Sequence, residues 1–203
     1  ARRTNQPLRF GIDAAGHWAG LPWEALALPG DDRPLTLHPL VAVHRRMDMA
    51  DAAVAPGPLR ILVAIASPIV GGGPVLDYER EMRDVIAAVR GARAEAADVR
   101  FVPFATTTEI RRALQAVPAH VLHVTGHGSP GHLHLEDDDG NDRAVDAATF
   151  VDEAIPAGAM PPVVTLAACA TDIPGDDDLA SFAAHLAGRG PVAVIATEAS
   201  VSD

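Results

Sequence analysis

The sequence predicts an α/β domain built on a mostly parallel central sheet. Three observations carry that expectation. Apolar runs of strand length recur at residues 61–66, 99–104, 121–126, 162–168 and 192–196. The first of them, ILVAIA, is apolar without alternation, the pattern of a strand buried on both faces. Helical patterns separate most of the runs, and strands that alternate with helices make βαβ units and a parallel sheet with helices on both faces.

Residues 1–56 are irregular with some strand character. Residues 7–13 (PLRFGID) alternate like a short strand. Residues 21–26 (LPWEAL) read as a helical turn with proline at its start. Residues 41–46 (VAVHRR) read as another strand, and the Ala/Pro/Gly-rich residues 51–58 as a linker. Trp23 is one of two tryptophans and is expected to anchor this segment on the sheet. The first core strand then leads into a loop at residues 70–74. A helix over residues 76–93 follows, with Met82, Val85, Ile86 and Val89 on one face. Thr106 and Glu109 form a capping-box pattern ahead of a helix containing Ile110 and Leu114. A polar hairpin around residues 137–142, a helix near 147–154 and a helix from about Asp178 to Gly188 complete the order.

The 203 residues suffice for one domain with a sizeable core. We therefore expect one domain overall: an N-terminal segment, 1–56, and a core, 57–203. Hydrophobic residues make up 48% and charged residues 21%, so the chain is globular material. A formal net charge of -11 argues against nucleic acid or an anionic membrane as partner. No apolar run reaches the roughly 18 residues of a membrane span, and no signal peptide is visible. A single cysteine makes no internal disulfide and points to a reducing, cytoplasmic setting. The chain opens without an initiator Met and stops just after a core strand, so both ends read as cuts in a longer polypeptide.

Two strand ends draw attention. The run 121–125 breaks into a glycine-rich turn with His127 between Gly126 and Gly128, and the run 162–168 ends at Cys169. Sites in α/β folds form at the carboxyl ends of strands. The thiolate is the nucleophilic form of cysteine, and a neighbouring imidazole can generate it. The same imidazole can then protonate a leaving amine, a contribution of about 10²–10⁴-fold in rate. A tetrahedral intermediate also needs oxyanion donors, which the backbone N–H groups of Gly128 and Cys169 can supply. The small neighbours Ala167, Ala168 and Ala170 leave room for a peptide. On spacing alone, a buried inert thiol and a turn histidine bonded to backbone are equally open readings.

The segments VLHVTGHGSPGHLHLED and VVTLAACAT resemble the CHAT family of caspase-like cysteine peptidases. The resemblance extends to LPWE at 21–24, to residues 60–67, to Leu76, Asp77 and Glu79, and to residues 181–195. It implies a caspase-like three-layer sandwich, with the family's C-terminal part absent from these 203 residues. It also implies His127 as general base, Cys169 as nucleophile, an oxyanion site at Gly128 and Cys169, and no cofactor. The expected partner is a protein or peptide substrate. A helical-repeat region or activating partner outside this chain, in bacterial regulation or defence, is expected as well. Metacaspases that cut after Arg or Lys carry Asp two residues before the cysteine, where this chain has Ala167. Asp77, Ala168, Asp172 and the run 176–178 remain candidates for a substrate pocket, against a helix cap and a solvated loop.

Other features carry less. His123, His127, His132 and His134 fit no standard zinc spacing, and His123 reads as a core-strand residue. Residues 136–142 loosely resemble a calcium loop but lack its spaced ligands, so a hairpin turn is expected. Gly71, Gly72 and Gly73 lack the pattern of a phosphate loop and read as a loop bordering the groove. Three functions compete: a cysteine endopeptidase, a catalytically silent interaction module, and a nucleotide-binding domain using residues 71–73.

Overall fold

A computed structural model of the chain describes residues 7–14, 18, 21, 23–46, 56–69, 71, 76–93, 97–168, 182–191 and 193–196. The chain divides into two compact units, Ala1–Asp48 and Met49–Asp203.

In the first unit, β1 (Leu8–Ile12) pairs in parallel with β2 (Val41–Arg45). Trp23–Ala25 and Leu35–Leu37 form short 3₁₀ turns between them. Glu24 accepts two hydrogen bonds from Arg45, from Nε and Nη2, each 3.1 Å, which ties the LPWE turn to β2. The forked geometry makes this stronger than a single-point ion pair. The Trp23 indole N–H donates to the Trp18 carbonyl at 2.7 Å, so its polar edge is satisfied inside this unit.

The second unit holds the core. Its elements are β3 (Leu59–Ile65), α1 (Tyr78–Arg93), β4 (Ala97–Val102), α2 (Thr107–Ala116), β5 (Val121–Thr125) and β6 (His127–Ser129). They continue with β7 (His132–Glu136), β8 (Asp142–Asp146), α3 (Ala147–Ala154), β9 (Val163–Ala167), α4 (Phe182–Ala187) and β10 (Ala193–Ile195). Among the described residues, β10-β9-β5-β3-β4 form a five-stranded sheet with every pair parallel. This is the central parallel sheet that the alternation of strands and helices predicts. The β4 strand begins earlier than the apolar run suggests, at Ala97, because pairing with β3 runs back to Leu59↔Ala97. The start expected for the last helix, Asp178, lies outside the described residues.

Side chains sort by strand parity. Leu62, Ala64, Leu122, Val124, Val164 and Leu166 join α2, α3 and α4 in one cluster, with Phe150 and Phe182 at its heart. Those two rings are fully buried and meet edge to face with centroids 5.8 Å apart. Val63 and Ile65, also fully buried, point to the opposite face. There Glu81 of α1 reaches β5. Helices therefore flank both faces, as the continuous run in β3 requires.

Local signals behave as chemistry dictates. Thr106 caps α2, its hydroxyl accepting from the Glu109 N–H at 3.0 Å. Asp146 caps α3 through the Thr149 N–H at 2.7 Å. Residues 137–141 close the β7–β8 hairpin, where Asp137 accepts from the N–H groups of Asp139 and Asn141 and Gly140 takes φ +80°. The Asp137 carboxylate is spent on its own loop. Bonds from the Asn141 backbone, and then its side chain, hold its pKa below the usual carboxylate value.

Candidate active site

The site is built on two neighbouring strand ends. β5 and β9 lie side by side in parallel, with Thr125 opposite Ala167. The pairing runs one step further, where the Gly126 N–H donates to the Ala167 carbonyl at 3.3 Å. On the other side the Ala66 N–H donates to the Thr125 carbonyl at 2.8 Å. Gly126 is thus wedged between the exits of β3 and β9. A Cβ there would stand 3.2 Å from the His134 carbonyl and 3.3 Å from the Ala66 methyl. The close approach of backbones explains the glycine.

Beyond Gly126 the structure corrects one expectation. His127 does not ride on a glycine turn. It opens a short strand, β6, which pairs antiparallel with β7 through His127↔His134, Gly128↔Leu133 and Ser129↔His132. The turn lies later, at Pro130 and Gly131. Proline followed by glycine at φ +75° in a two-residue connection is a type II arrangement. β8 pairs on the far side of β7, so among the described residues β6 is the edge of a three-stranded sheet. The inward residues Leu133, Leu135 and Val145 are buried. The opposite face carries His127, Ser129, His132, His134, Glu136 and Asp142, and His127 is half-buried on it.

This small sheet is moored to the strand ends of the large one. Glu136, 5% exposed, accepts from the Ser67 N–H at 2.9 Å, and its own N–H donates to the Ala105 carbonyl. Ser67 also accepts from the Leu76 N–H at 3.2 Å, and Ile69 donates to Gly140 at 2.9 Å. The strip after β3 is therefore laced to the hairpin. Gly71 sits there at φ +92°, and residues 72 and 73 lie outside the described residues.

Two polar constellations escape a reading of the sequence. On the α1 face, His123 Nδ1 meets Thr165 Oγ1 at 2.6 Å and His123 Nε2 meets Glu81 Oε1 at 3.0 Å. The Thr125 hydroxyl donates to the same carboxylate at 3.1 Å. His123 is thus a strand histidine, as expected, and it bridges β5, β9 and α1. On the small sheet, Ser129 Oγ lies 2.9 Å from His134 Nε2, and both Asp142 oxygens lie 2.9 Å from His134 Nδ1. The period-two spacing of His132, His134 and Glu136 hints at one shared face. Asp142 joins them only through the hairpin register, which depends on loop geometry.

The remaining candidates are placed as follows. Gly128 is half-buried on β6. Ala168 is 4% exposed and belongs to the core cluster. Asp77 is exposed and accepts from the Arg80 N–H at 3.0 Å, capping α1. Ala167 is exposed although its strand lies between β5 and β10. Cys169 and Asp172 lie outside the described residues, as does the run 176–178. Among the described residues no group of three or more His, Cys, Asp or Glu is arranged to hold a metal ion, and no helix is long and apolar enough to cross a membrane.

Comparison with known proteins fits this architecture. No curated protein sequence matches the chain. A family model for the CHAT domain matches residues 2–203. The parallel sheet flanked by helices, read with that match over nearly the whole length, gives the chain its kinship with caspase-like peptidases: it belongs to the CHAT domain family.

Proposed function

We propose that this chain is a cysteine endopeptidase that cleaves a protein partner, with Cys169 as nucleophile and His127 as general base. The observation that supports the reading is the register of β5 and β9. Thr125 and Ala167 are opposite each other, and His127 and Cys169 each follow their partner by two residues. In the chain, the two residues follow the carboxyl ends of neighbouring strands of one parallel sheet, where α/β folds bind ligands.

The chemistry follows from the pair. His127 takes the Cys169 proton, and Sγ attacks the scissile carbonyl carbon. The C–N bond breaks as His127 passes the proton to the leaving amine, and water then hydrolyses the thioester. Gly128 offers its backbone N–H to the oxyanion. In a two-residue hairpin the pair flanking the turn, Ser129 and His132, exchanges backbone bonds, and the next pair does not. The Gly128 N–H then faces away from β7, on the edge side of β6. The Cys169 N–H is the second donor. The exposed Ala167 leaves open surface beside this edge for an extended peptide.

The finer points rest on the family and on composition. A role in bacterial regulation or defence, control by a helical-repeat region or activating partner outside this chain, and a cytoplasmic setting belong to the same proposal. The test is proteolysis of candidate substrates by the wild-type chain and by Cys169→Ala. Cleavage by the first alone is expected, and cleavage by both would refute the assignment.

A further inference from the structure

We propose that Asp142, His134 and Ser129 form a positioning relay for His127, fixing the imidazole beside it on the small sheet. The proposal rests on the endopeptidase reading above. It begins from a mechanical problem. β6 has three residues and pairs on one side with β7, so its backbone ladder is short. Its first residue is the proposed general base. A strand held this lightly needs side chains to keep it in place.

The relay supplies them and spans the whole sheet. Ser129 on β6 bonds His134 on β7, which bonds Asp142 on β8. The bonds have a direction. Asp142, as a carboxylate, only accepts. A neutral His134 therefore carries its proton on Nδ1 and accepts from the Ser129 hydroxyl at Nε2. Both ring nitrogens are held, at 2.9 Å each, so the ring has one orientation.

That ring stands next to His127. The two residues are direct cross-strand partners, whose Cβ atoms are typically about 4.5–5.5 Å apart. Both lie on the polar face, so a fixed imidazole bounds the His127 side chain on the β7 side. With His134 loose, His127 keeps its backbone position and loses that boundary. Ser129 sits two residues from His127 on the same face, so its tether also limits the twist of β6. The backbone of the Ser129–His132 pair is occupied by the hairpin, which makes Ser129 a poor oxyanion donor. The serine serves here as an anchor and not as a second nucleophile.

The experiment uses the sole thiol of the chain as reporter. Alkylation of Cys169 by iodoacetamide is timed for wild type, His127→Ala, Ser129→Ala, His134→Gln and Asp142→Asn. His132→Gln is the control on the same face, since His132 bonds the Pro130 carbonyl and stands outside the relay. Ring ¹⁵N spectra of His134 are recorded in mildly alkaline buffer. A displaced catalytic group typically loses up to about 100-fold in rate, so the relay variants are expected to slow alkylation by about 10- to 100-fold and the control not at all. The wild-type spectrum is expected to show protonated Nδ1 and bare Nε2, with the preference for Nδ1 lost in Asp142→Asn.

Slow alkylation in His127→Ala with wild-type rates in His134→Gln and Asp142→Asn overturns the relay and leaves the dyad standing. Equal rates in wild type and His127→Ala overturn the dyad, and the relay with it. The opposite His134 tautomer in the wild-type chain overturns the relay without any variant, which keeps the test sound if a substitution prevents folding.

Discussion

Replacing Gly126 by alanine perturbs the junction on which the site depends. The φ of Gly126 is not among the positive ones, so alanine meets no backbone penalty there. The difficulty is space. The new methyl would sit 3.2 Å from the His134 carbonyl oxygen and 3.3 Å from the Ala66 methyl, with the Ala66 carbonyl at 3.6 Å. Ala66 is fully buried, and the His134 carbonyl belongs to a paired strand. Neither has an easy direction in which to yield. Inserting a methyl into packed surroundings costs about 1–3 kcal/mol. Loss of glycine's freedom in the unfolded chain returns about 0.4–1 kcal/mol. The net expectation is a destabilisation of about 1–2 kcal/mol, a drop in Tm of about 2–8 °C for a chain of this size. Thermal unfolding followed by circular dichroism measures it. Since β6 begins at the next residue, Cys169 alkylation should slow in the same variant. An unchanged Tm together with an unchanged alkylation rate would refute the close approach of β5, β3 and β7 at this point.

Three more outcomes follow from the packing and the charges. Phe150→Ala removes a fully buried ring from its edge-to-face contact with Phe182 and should lower stability by about 3–5 kcal/mol, read from denaturant midpoints. Asp146→Ala removes the α3 cap and should cost about 1 kcal/mol at neutral pH. The Thr149 N–H holds the Asp146 carboxyl below its ordinary pKa, and Arg143, then Thr107, does the same for Glu153. Groups so depressed stabilise the fold above the unfolded carboxyl range, near about pH 4, and lose that contribution as pH falls through their folded values. The Asp146→Ala deficit should therefore shrink in acid, which an unfolding series across pH checks. Glu81→Gln, with His123 and Thr125 left facing a neutral amide, should cost about 1–2 kcal/mol by the same midpoints.

The central sheet was legible because its strands are mostly apolar, without a break over residues 61–66, and its helices are amphipathic or capped. The Thr106 and Glu109 spacing is borne out on the threonine side, while the Glu109 carboxylate pairs with Arg112 and the Thr106 N–H donates to the Phe104 carbonyl. The family could be read from HG after one strand and a cysteine after another, since strand order carries that information. What escaped is what depends on register. The sequence GHGSPG looks like a loop until Ser129 is seen opposite His132, and only then does Pro130-Gly131 become the turn and His127 a strand residue. Likewise Glu81 lies on a helix far from His123 in sequence, and nothing local joins them. Asp137 and Asp142 look alike in an acidic run, yet one closes a loop and the other grips an imidazole. The difference is set by a hairpin whose length composition does not fix.

The most direct test of the whole account is the reaction of Cys169 with an electrophilic peptide probe across pH, with His127→Ala beside wild type. A working pair predicts rapid labelling at neutral pH that collapses in the variant. Slow labelling, equal in the two proteins, would contradict it and leave the fold without the chemistry proposed for it.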